Sequence, residues 1–149
     1  MAVGLREARE QAGISQVTLA RLAGTADSVI REIEAARKPI TLQMAQRLAE
    51  VLGVDGVLLW ARHSLDEWRA DLATLPDSYN GVGAIQIGLF KTRHMLGISG
   101  ELRDVADMPD EMQAELVELT LLTADVLRKL SDAVDAVPTR YTSGRRSKR

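Results

Sequence analysis

Ser15-Gln16-Val17-Thr18-Leu19-Ala20-Arg21-Leu22-Ala23-Gly24-Thr25-Ala26-Asp27-Ser28-Val29-Ile30-Arg31-Glu32-Ile33-Glu34 contains the signals for two short helices with a sharp bend between them. Ser15 is an N-cap residue, because its hydroxyl can accept from an unpaired N–H of the first helical turn. Behind it, Leu19, Leu22 and Ala23 recur at three- and four-residue intervals and predict one apolar helical face. Gly24 breaks this helix at a position where positive φ carries no steric cost. A second helix is predicted from about Ala26, with Val29, Ile30 and Ile33 turned inward and Ala20 small enough for close approach.

The signals continue on both sides. Val3, Leu5, Ala8 and Ala12 predict a preceding helix ended by Gly13. After Pro39, Thr41 caps a helix with Met44, Ala45, Leu48, Val51 and Leu52 inside, ended by Gly53. Asp55 caps a fifth, short helix through Leu58, Leu59 and Trp60. The reading is therefore all-α, with five helices in the first 62 residues.

The Ser-Gln…Leu-Ala…Gly…Ile…Ile-Glu framework of residues 15–34, with Leu-Ala-Glu-Val-Leu-Gly-Val at 48–54, resembles the XRE family. These are the helix-turn-helix DNA-binding proteins of the phage Cro and repressor type. The resemblance spans residues 4–60. It implies double-stranded DNA as partner and transcriptional regulation, by repression, as function. It places Ser15, Gln16, Thr25, Asp27, Ser28, Arg31, Glu32, Arg37, Lys38 and Thr41 at the DNA, with Gln16 on a phosphate at a helix N-terminus. It also implies a structural ion pair between Arg9 and Glu34. Two features depart from the family pattern. Asp27 and Glu32 repel phosphates, although a carboxylate can accept from cytosine N4. Ala35-Ala36 stands where glycine is usual, so the turn after the recognition helix is expected to differ in shape.

Beyond this unit the sequence predicts a helical module over 63–137. Ser64 and Glu67 form a capping box for a helix from Leu65 to Leu75, stopped by Pro76. Asp77 to Gly83 is rich in turn formers, a helix follows from Ala84 to Leu96, and Gly97 to Gly100 form another loop. A long helix then runs from Pro109 to Val137. Its heptad seam includes Met112, Leu116, Leu119, Val126, Leu130 and Val137, which nominates them for pairing in a homodimer or for packing within one chain.

Charge is strongly segregated. Residues 1–63 carry +1, residues 64–137 carry −8, and the last twelve carry +5. The basic tail, 138–149, is expected to be disordered without a partner, either touching DNA or serving as a solubilising end. The acidic middle keeps a second class of function open: an antitoxin or other interaction module whose C-terminal half binds a protein partner. The chain has no cysteine and only His63 and His94, far apart, so neither a metal nor another cofactor is expected. No nucleophile–base pattern or phosphate loop is present, which argues against an enzyme. Without an apolar run of membrane length, a cytoplasmic protein is expected.

Overall fold

The computed structural model describes residues 3–78 and 81–136, and these form seven helices with no strand among them. They are α1 (Leu5–Gln11), α2 (Gln16–Ala23), α3 (Asp27–Glu34), α4 (Leu42–Leu52), α5 (Gly56–Ser78), α6 (Gly81–Arg103) and α7 (Asp110–Asp135). Val137 and the basic tail lie outside the described residues.

The first four helices and the start of α5 close around Leu5, Leu19, Ala20, Ile30, Ile33, Ala45, Leu48 and Leu59, all buried. Burying each large aliphatic side chain contributes about 1.5–3 kcal/mol relative to exposure. Leu22, placed on the inner face by its spacing, is exposed instead, and Ala20 with Ala23 completes that face. Small residues there bring α2 close to its neighbours.

α2 and α3 end in the same way. At the end of α2, Thr25 N–H donates to Ala20 O and Gly24 N–H to Arg21 O, with Gly24 at φ +68°. At the end of α3, Arg37 N–H donates to Glu32 O and Ala36 N–H to Ile33 O. Both are Schellman closures. Ala36 occupies the left-handed position at φ +56°, so the turn keeps the glycine shape despite its side chain. At the other close approach, a Cβ on Gly56 would lie 2.9 Å from the Gln46 Cα, so only glycine lets α5 start against α4.

The second half departs from the predicted segmentation. The two helices expected at 55–60 and 65–75 are one, α5, which passes through the anticipated domain boundary at 62/63. Ser64 is not its cap but a buried residue in mid-helix, and the backbone stays helical two residues beyond Pro76. The Asp77–Gly83 loop shrinks accordingly: α5 reaches Ser78, α6 starts at Gly81, and Tyr79 and Asn80 lie outside the described residues. Gly97 and Gly100 form no loop either. Both are exposed within α6, held helical because Met95, Ser99 and Leu102 between and beside them are buried. The turn to α7 comes later, at 104–109.

Here the core is built on Trp68, fully buried, whose Nε1–H donates to Thr123 Oγ1 at 2.8 Å. Thr123 in turn donates to the Leu119 carbonyl at 2.7 Å. The α7 seam is spent on this core: Met112, Leu119, Val126 and Leu130 are buried and Leu116 half-buried against it. Of the two uses the sequence allowed, packing within the chain takes these residues.

Because Ala36 carries the cost of a left-handed conformation, Ala36→Gly is expected to raise unfolding stability by up to about 1 kcal/mol. Chemical denaturation of the two proteins checks this; a lower stability would show that the turn is unstrained.

Candidate nucleic-acid interface

The interface is organised around a carboxylate that makes no contact with solvent. The Glu34 side chain, at the end of α3, has 0% relative exposure. Arg9 on α1 grips it with Nε at 2.6 Å from Oε1 and Nη2 at 3.1 Å from Oε2. Gln16 at the start of α2 donates through Nε2 to Oε2 at 2.8 Å, and Arg6 Nε stands 3.5 Å away. Arg9 also donates through Nη1 to the Ile14 carbonyl at 3.0 Å, joining α1 to the loop before α2. Burial pushes the Glu34 carboxyl up, but the hydrogen bonds from Arg9 and Gln16 and the two guanidinium charges outweigh it. The net effect holds the group below the ordinary carboxylate value.

Thus Arg9 and Glu34 are brought together as a pair. The Gln16 side-chain amide, expected at a phosphate, is turned to Glu34 instead. Ser15 caps α2, its Oγ accepting from Thr18 N–H at 3.1 Å. On α3, Ser28, Arg31 and Glu32 are exposed and Asp27 is half-buried, as is Thr25 just before the helix. Asp27 and Arg31 pair across one helical turn at 3.0 Å. The acidic residue that would repel a phosphate therefore also orients the arginine. Arg37, Lys38 and Thr41 are exposed between α3 and α4, and Thr41 Oγ1 accepts from Met44 N–H at 3.1 Å.

Two positioning residues escaped the sequence reading. Arg47 on α4 donates to the carbonyls of Ala23 and Gly24, which fixes the turn between α2 and α3. His63, buried on α5, has Nε2 3.1 Å from the Lys38 carbonyl, holding the basic segment after α3. No local pattern announces either contact, because the partners lie 23 to 25 residues away. Burial lowers the His63 pKa, against the opposing pull of the Lys38 carbonyl and Asp66. The ring is therefore neutral at neutral pH and donates from Nε2.

Two short helices joined through a left-handed glycine, the second offering a polar outer face, are the architecture of a helix-turn-helix domain. Residues 5–59 are matched by the family model described as Helix-turn-helix. Residues 5–59 are thus similar to a helix-turn-helix domain of the XRE type, a match that supports a DNA-binding transcription regulator. No curated protein and no solved structure is matched. Among the described residues, no helix is long and apolar enough to cross a membrane.

Glu34→Ala leaves the largely buried Arg9 guanidinium without its partner and is expected to cost about 3 kcal/mol or more. Denaturant unfolding tests this; a loss within 0.5 kcal/mol, the usual range of a surface change, would contradict it. The neutral His63 contributes stability that is complete above pH ~6.5 and lost as pH falls through its lowered folded value. Unfolding free energy should therefore decline from pH 6.5 downwards in the wild type, and His63→Gln should flatten that decline.

Proposed function

We propose that this chain is a sequence-specific repressor whose residues 1–62 read duplex DNA while residues 63–137 carry the contacts between proteins. In this reading α3 enters the major groove. Arg31, Ser28 and Thr25 reach base edges, and Glu32 accepts from a cytosine amine. Ser15 and the N-terminal backbone N–H groups of α2 meet one phosphate, while Arg37, Lys38 and Thr41 meet the backbone beyond α3. The observation that carries the reading is the exposed polar face of α3 on a helix whose far end is pinned by buried Glu34. A recognition helix must be held rigidly to discriminate bases, and this one is tied to α1 and α2 together. Gln16 acts by steadying Glu34. Repression follows from occupancy, since a domain filling the groove at a promoter excludes other proteins from it.

Selection of random duplexes by the full chain, followed by sequencing, tests the proposal, with a single enriched motif expected. Arg31→Ala should cost about 1–3 kcal/mol on that motif and relax its preference at one position. Lys38→Ala should weaken all sequences alike and reduce the salt slope by about one. Folded protein that enriches nothing would overturn sequence-specific recognition.

A further inference from the structure

α1, the closing turn of α3 and the first half of α5 leave a cleft of about 390 Å³ between them. Leu5, Ile33 and Ala36 supply its apolar wall, and His63 stands among its polar residues. That histidine is 7% exposed. Its Nε2–H is taken by the Lys38 carbonyl, which leaves Nδ1 as an acceptor. Nδ1 receives no hydrogen bond from the described residues. It is not sealed off either, because no side-chain nitrogen or oxygen shut away from solvent lacks a partner among them. A deeply buried histidine therefore keeps one free lone pair at an opening, and this cleft is the opening that it lines. The charged groups of the lining are four carboxylates against two guanidiniums. Glu34 is held by Arg9 and Gln16, with Arg6 leaning on it, and Arg62 is held by Asp66 and Glu115. Glu7 and Glu10 on α1 are exposed and far less engaged. Glu7 accepts only from Gln11 at 3.4 Å, and Glu10 stands 3.9 Å from Arg9.

We propose that this cleft is an effector site for a small organic cation, an alkylammonium or guanidinium compound, whose N–H donates to His63 Nδ1. A buried acceptor with carboxylates at an exposed rim calls for a ligand that donates and carries positive charge. An anion would meet Glu7 and Glu10, and a ligand that only accepts would leave the Nδ1 lone pair facing its own. Leu5, Ile33 and Ala36 can cover an aliphatic body, and the volume lies in the range of small-molecule pockets. The same walls connect the ligand to DNA reading. Ile33 belongs to the end of the recognition helix, Ala36 to its closing turn, Leu5 to α1 and His63 to α5. A ligand that touches all four binds best while these elements are in place, so it stabilises the arrangement that presents α3 and Lys38. By linkage, DNA and the cation then raise each other's affinity. This coupling rests on the DNA-reading proposal, whereas the site does not.

Titration of the full chain with n-butylammonium, n-butanol and butyrate, at neutral pH and fixed ionic strength, tests the site. The readout is the nitrogen NMR resonance of His63 Nδ1. n-Butylammonium should shift it saturably, as an acceptor nitrogen responds to a new hydrogen bond. Glu7→Gln combined with Glu10→Gln should weaken that binding about tenfold, with circular dichroism unchanged because both positions are exposed. Glu101→Gln, an exposed carboxylate on α6, should leave it as it was. The absence of a saturable shift overturns the site. An equal response to n-butanol or butyrate overturns the cationic class, and full affinity in the double variant overturns the placement in this cleft. On a duplex motif enriched by the full chain, saturating n-butylammonium should tighten binding about fivefold. Unchanged DNA affinity overturns the coupling. Should no motif be enriched, the His63 resonance still decides the site, so the two readings fail separately.

Discussion

The buried carboxylate of Glu34 is the constraint on which the DNA-facing half depends. A carboxylate without solvent is costly unless its lone pairs are filled, and here three side chains from two other helices attend it. The cost of removing it from water becomes geometric control: α1, α2 and the end of α3 cannot shift independently while the cluster is intact. Apolar packing alone would bring these helices together with less angular definition, since aliphatic contacts are non-directional. The recognition helix is thus fixed from behind by charge and at its sides by Ile30 and Ile33.

That rigidity is passed onward through α5. His63 takes the Lys38 carbonyl, one residue earlier Arg62 binds Glu115 of α7 through two hydrogen bonds at 2.7 and 2.6 Å, and Trp68 reaches Thr123. Arg69 adds a further bond to Glu115 at 2.9 Å. A single helix therefore touches the basic segment after α3 through His63 and, from Arg62 to Arg69, the long C-terminal helix. α5 has no break between these contacts.

The first 60 residues were legible because the helices are short and two of them, α2 and α4, carry full punctuation: serine or threonine at the start, glycine at the end. The Arg9–Glu34 pair was legible only through family resemblance, and the contacts of Arg47 and His63 not at all, since they link residues far apart in sequence. The second half misled for the opposite reason. Gly97 and Gly100 each weaken a helix by about 1 kcal/mol relative to alanine, which is less than the burial of the neighbouring Met95 and Leu102 returns. Ser64 and Glu67 have capping-box spacing, but that spacing is also one helical turn, and burial of Ala61, His63 and Ser64 kept the turn helical. Likewise the α7 heptad is real, yet periodicity cannot say whether the partner helix belongs to the same chain.

Segment charge proved a blunter guide than its size suggested. The excess of acid over 64–137 pointed to a basic partner, but several of these carboxylates are already engaged. Glu115 is bound by Arg62 and Arg69, Asp66 by Arg62, and Asp125 by Lys129. Glu115 is held below the ordinary carboxylate value, chiefly by the Arg62 hydrogen bond, which shows how fully its charge is committed within the fold. Two of these pairs link α7 to α5 and so act as internal struts. What distinguishes the module's surface is where carboxylates are missing: Val117, Ala124, Leu127 and Val134 form an acid-free row on the most acidic helix of the chain. A helix with charge to spare on its other faces has no need to leave that row apolar for solubility.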